Sequence, residues 1–99
     1  MREEPKVPFR MPVEDVFEVN RCIVIGGRVE QGTVCGGDVI EISGEGGTVT
    51  ATVARVEFLC WRGVGEPTGW PGDNVGLRLR KVSPGQIRVG WIAIAIQPS

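Results

Sequence analysis

MPVEDVFEVNRCIVIGGRVEQG, residues 11–32, sets two extended apolar runs on either side of the short polar break at Asn20 and Arg21. Val13, Phe17 and Val19 lead in, and Ile23, Val24, Ile25 and Val29 lead out. Their β-branched and aromatic side chains suit a pleated surface better than a helical one, so the stretch reads as a founding β-hairpin. The pair Gly26-Gly27 inside the second run predicts a bulge or a sharp bend. Glu30-Gln31-Gly32 then ends the run.

Downstream, short β segments alternate with glycine-rich turns. Gly36-Gly37-Asp38 is a turn, Val39, Ile40 and Ile42 make a short strand, and Ser43 to Gly47 turns again. From Thr48 to Trp61 the β signal is longest, with Val49, Ala51 and Val53 on one parity and Val56, Phe58 and Cys60 on the other. That switch predicts a bulge near Ala54. Asn74 to Arg80 alternates cleanly, which places Val75, Leu77 and Leu79 inside and Gly76, Arg78 and Arg80 outside. Ser83-Pro84 before Gly85-Gln86-Ile87 predicts one short helical turn, and Trp91 to Ile96 closes the set. The strands fall near residues 12–19, 22–30, 38–43, 48–60, 74–82 and 91–96. With no amphipathic helix to cover an open sheet, the expected fold is all-β: a closed six- to seven-stranded antiparallel β-barrel. Residues 1–7 form an N-terminal tail, 8–96 the barrel and 97–99 a C-terminal tail, with Pro5, Pro8 and Pro12 making the first dozen residues a tail or an edge segment.

The stretch from Trp61 to Asp73 holds glycines, prolines and two tryptophans, which argue against regular structure and for a long loop. Trp61 and Trp70 either fold down to plug a barrel end or present a contact surface on the rim.

Composition narrows the chemistry. Ninety-nine residues make one domain, and a net charge of −1 gives no bulk attraction to nucleic acid or an anionic membrane. DNA and membranes are therefore not expected partners, and any RNA contact has to be local. The chain has no histidine, which removes the usual general base, the Ser-His and Cys-His nucleophile pairs and the common zinc sets together. Lys6 and Lys81 are the two lysines and neither belongs to a phosphate-loop motif. No catalytic residue, metal site or cofactor is indicated, and the expectation is a non-enzyme. Cys22, Cys35 and Cys60 show neither a C-x-x-C spacing nor an even number, so free thiols are expected. No apolar run approaches the ~18 residues that span a bilayer, and the first ten residues lack a signal-peptide core, which points to the cytoplasm. Arg28-Val29-Glu30 and Arg55-Val56-Glu57 read as buried valines between solvated charges.

Four short motifs stand in order along the chain: P-V-E-D-V-F from Pro12, G-R-V-E-x-G from Gly27, V-E-F from Val56 and G-D-N-V-G-L from Gly72. Together they make the chain resemble domain 2 of elongation factor Tu and related translational GTPases, from about Pro8 to Ala95. The resemblance implies a closed antiparallel barrel that is not itself the GTPase. It implies docking on tRNA or ribosomal RNA, or on a GTPase domain supplied here by another chain. Carried over residue by residue, Glu57 is similar to the glutamate that contacts the terminal adenosine of aminoacyl-tRNA. Asn74 is similar to the asparagine whose backbone meets the aminoacyl group, and Val19 and Val24 to apolar walls of the adenine pocket. The chain departs from the family in a shorter Val19–Cys22 turn, a longer Trp61–Asp73 loop, Gly26 in place of threonine and Arg78 in place of an apolar wall residue. Glu57, Arg78, Asn74 and the Trp70 loop are the candidate RNA-contacting face. Glu57 paired with Arg55 or Arg78, and Asn74 serving only its turn, are the plainer alternatives.

Overall fold

The β2–β3 hairpin is built as its sequence suggests. In a computed structural model that describes residues 7–58 and 67–96, β2 (Asp15–Val19) pairs antiparallel with β3 (Cys22–Arg28) across a two-residue turn. Asn20 and Arg21 both have positive φ, 50° and 67°, as the mirror-image turn of a tight hairpin requires. Asparagine tolerates that conformation; arginine pays about 1–2 kcal/mol for it. Arg21→Gly is therefore expected to raise stability by about 1 kcal/mol, read as a higher urea midpoint at unchanged slope.

Seven strands form one antiparallel sheet in the order β1-β9-β5-β6-β8-β3-β2, where β1 is Arg10–Pro12, β5 Val39–Gly44, β6 Gly47–Glu57, β8 Asn74–Arg80 and β9 Ile92–Ala95. Two further strands, β4 (Val34–Cys35) and β7 (Thr68–Gly69), pair with each other. The chain is thus all-β, and no helix occurs among the described residues. The strand ladders do not close into a ring: the sheet begins at β1 and ends at β2.

Period-two alternation puts one face of each long strand into the core. Val75, Leu77 and Leu79 are buried on β8, Ile40 and Ile42 on β5, and Ala51 and Val53 on β6. The register between β6 and β8 shifts between Val53 and Arg55, so Ala54 is the extra residue and Val56 recovers the inward face. This is the bulge expected from the parity switch. Val29 and Val56 are both buried, each flanked by less buried charges.

Several expectations need correcting. Of the bulge and the bend expected at Gly26-Gly27, no bulge forms, because β3 keeps an unbroken register with β8 through both glycines and with β2 as far as Gly26. Gly27 instead admits a close neighbour: a methyl group there would overlap the carbonyl oxygen of Pro12. Phe17 and Val19 are exposed, and Val16 is the residue of β2 that packs inward. The face changes between β1 and β2, where Val13 N–H donates to Trp91 O (2.8 Å) while Glu14 N–H donates to Gly26 O (2.8 Å). Adjacent residues thus bond to opposite margins of the sheet. Of the tail and edge alternatives, residues 10–12 take the edge: β1 is the margin strand, paired with β9, and Phe9 and Met11 are core residues.

Residues 83–86 form a turn rather than a helical one. Gln86 N–H donates to Ser83 O (3.3 Å), and the Gln86 side chain takes the Ser83 N–H at 2.7 Å. Trp70–Asp73 is built alike: Asp73 N–H donates to Trp70 O (2.9 Å) and Asp73 Oδ2 accepts from Trp70 N–H (3.0 Å). Gly72 there holds φ 94°, the third-position conformation that a Pro-Gly turn needs. A third such turn, Cys35–Asp38, uses Asp38 in the same way. The stretch expected to lack regular structure therefore contains β7 and an ordered turn. Trp61, Cys60 and the expected tails at residues 1–6 and 97–99 lie outside the described residues. Cys22 is a free thiol, and Cys35 Sγ lies 3.8 Å from Asp38 Oδ1.

Candidate functional site: the outward face of β2, β3, β8 and β6

Strand register determines which candidates meet. On the outward face, one row across the sheet reads Asp15, Gly26, Gly76, Glu57, and the next reads Phe17, Val24, Arg78, Arg55. Val24, Glu57 and Arg78 therefore form a compact group. Val19 lies one row beyond Phe17 at the hairpin end, and Asn74 lies one row beyond Gly76 at the other end. At ~3.3 Å per residue these two end rows are roughly 20 Å apart, too far for a single nucleoside pocket to use both.

The two glycines decide the shape of this face. With no side chains on Gly26 and Gly76, their neighbours occupy the space: the Phe17 ring and Asp15 flank Gly26 at ordinary contact distance, and a Val24 methyl approaches Gly76 more closely. Val24 is consequently only 5% exposed although it belongs to the outer face and not to the core. Phe17 lies half open at 49% and Val19 at 40%. The result is a low apolar platform on a polar sheet surface.

Arg78 and Glu57 border it. Arg78 stands directly opposite Arg55, an unfavourable like-charge pairing, and turns diagonally to Glu57, whose own partner across the ladder is Gly76. Both Arg78 Nε and Nη2 lie 3.0 Å from Glu57 Oε2. Among the described residues no hydrogen bond to Glu57 Oε1 is found. The pair is about one-third exposed, and an ion pair of that kind contributes at most about 1 kcal/mol to stability. This is the plainer of the two sequence alternatives for Glu57, and it leaves the guanidinium plane at the border of the platform.

Trp70 is 58% exposed and does not fold into the core. Its turn adjoins Asn74, the exposed first residue of β8, so both sit at the end of the sheet away from the hairpin. Among the described residues the tryptophan that folds inward is Trp91, packed over Gly44. The alternation in β8 already placed Gly76 outward beside Arg78, but Phe17 was not marked as part of the face. For Phe17 the signal was present in its spacing of one from inward Val16, but it needed the change of face at Val13–Glu14 to be read. Among the described residues no cluster of three or more histidine, cysteine or acidic side chains is placed to hold a metal. No protein-family model matches the chain.

Proposed function

We propose that the chain is a non-catalytic binding module of the translation-factor domain 2 type, and that it contacts RNA through the outward face of β2, β3, β8 and β6. The observation that carries this reading is the Phe17–Val24 platform, bordered by a planar guanidinium and a carboxylate oxygen without a partner among the described residues. An unpaired base can stack on Phe17 or on the Arg78 plane, while Glu57 Oε1 accepts a ribose hydroxyl. The four sequence motifs support the same reading, with tRNA or ribosomal RNA as the ligand and the cytoplasm as the place.

On this reading the sheet is a barrel closed through the bend between β1 and β2. Three sets of bonds support closure. Gly90 N–H donates to Val13 O (2.8 Å) on the β9 side, Glu14 N–H donates to Gly26 O on the β3 side, and Glu30 N–H donates to Arg10 O (2.9 Å) across the gap.

The test is binding of a single-stranded RNA with an unpaired 3′ adenosine, followed by fluorescence anisotropy at fixed salt. Phe17→Ala is expected to weaken binding by about 1–3 kcal/mol, the scale of a lost base–aromatic stack. Arg78→Ala should change stability by less than about 1 kcal/mol, because its partner is a surface one. Wild-type affinity in Phe17→Ala, Glu57→Ala and Arg78→Ala alike would sink the reading. A second reading, docking on a protein such as a GTPase domain of another chain, is favoured by the exposed Trp70 indole, the kind of side chain that anchors protein interfaces. It predicts that Trp70→Ala abolishes capture of that protein while RNA has no effect.

A further inference from the structure

The outward face of β6 and β8 carries more positive charge than the chain's balance suggests. Arg55, Arg78, Arg80 and Lys81 lie along it, and Glu57 is the one carboxylate paired with any of them among the described residues. Arg80 and Lys81 form no ion pair with any described residue. Beside them an open cavity of about 250 Å³ is lined by Thr50, Ala51, Thr52, Arg80 and Lys81. Strand register explains its lining: Thr52 is directly opposite Arg80, and Thr50 shares the outward parity of Thr52. Lys81, the residue after β8, holds φ 59°, a conformation that costs a lysine energy and that glycine would adopt freely. Glu41, opposite Thr50 on β5, is the neighbouring carboxylate and does not line the cavity.

We propose that this cavity binds a phosphate group. Arg80 supplies a planar fork of donors and Lys81 a compact charge. The hydroxyls of Thr50 and Thr52 supply neutral donors on the opposite wall. The phosphate is either free or part of an RNA backbone. In the second case the site lies one row along β8 from Arg78, where a strand with a base on Phe17 would run. That extension rests on the RNA reading above; the cavity itself does not.

Two titrations test it. In the first, inorganic phosphate is added to isotopically labelled protein at constant ionic strength. Saturable amide shifts at Thr50–Thr52, Arg80 and Lys81 are expected, weakened about tenfold by Arg80→Gln or Lys81→Gly. Lys81→Gly suits the φ at that position, so loss of binding in it does not reflect misfolding. In the second, single-stranded RNA affinity is measured against salt. Each of the two variants should flatten the log–log slope by about 0.7, whereas Phe17→Ala and a control, Arg88→Gln in the turn before β9, should leave it unchanged. Phosphate shifts without RNA binding would keep the site and remove the RNA reading. RNA binding with an unaltered slope and no phosphate shifts would keep the RNA reading and overturn the site. An equal flattening in Arg88→Gln would replace a site with diffuse charge and overturn it as well.

Discussion

Gly27→Ala is expected to destabilise the domain by about 3 kcal/mol or more, at or beyond the upper end of the usual cost of overpacking. Its missing side chain points at the carbonyl oxygen of Pro12 and at the Met11 side chain, both in the segment that crosses from one margin of the sheet to the other. A methyl group there overlaps backbone, which cannot rotate away as a flexible side chain can. Relief requires Pro12 to retreat, and that strains the Val13 and Glu14 bonds to Trp91 and Gly26. Gly26→Ala is the matched control, because a methyl group at that position meets ordinary contacts, the nearest at 3.5 Å from Asp15 Cβ. Urea unfolding of the two variants separates the cases. Equal, small losses would show that the bend between β1 and β2 is not held against β3, and barrel closure would fall with it.

Trp91→Ala should cost about 3–5 kcal/mol, the range for truncating a large buried aromatic. Trp91 is buried at the start of β9, and its ring lies so close above Gly44 that a methyl group there would overlap it. Gly44, Gly46 and Gly47 therefore put no side chain beneath the indole, and truncation leaves a void that these glycines cannot fill. A domain of this size has a total stability of about 5–15 kcal/mol, so the variant is expected to sit near the folding threshold. Near-ultraviolet circular dichroism and a thermal melt measure it. Trp70→Ala, which removes an exposed ring, should melt like the parent, and a Trp91→Ala melt indistinguishable from it would refute the assignment of Trp91 to the core.

These two sites also mark where sequence reading stops. The alternation in NVGLRLR assigned both faces of β8 correctly, because side chains in any strand point to opposite sides by turns. The change of parity at Ala54 was legible as a bulge for the same reason. The Asn20-Arg21 break was legible as a hairpin turn, since a polar pair between two β-branched runs leaves few other options. Each of these depends on residues within a few positions of one another.

The side to which Phe17 turns depends on a bend whose bonds go to Trp91 and Gly26, remote partners that no local pattern names. The role of Gly27 depends on Pro12 arriving from another strand, and the choice of Trp91 over Trp70 as the core tryptophan depends on which end of the sheet the Gly44–Gly47 turn covers. Arg78 was placed outward by its sequence position alone. That it meets Glu57 rather than facing solvent was decided by Gly76, which leaves the diagonal across two strands open. The all-β class, the positions of the longer strands and most inward residues thus followed from the sequence by itself, through the period of two of a β-strand. The composition of the outward face was decided only by tertiary structure, because a face is assembled from rows that cross strands, and register between strands is set by the whole sheet.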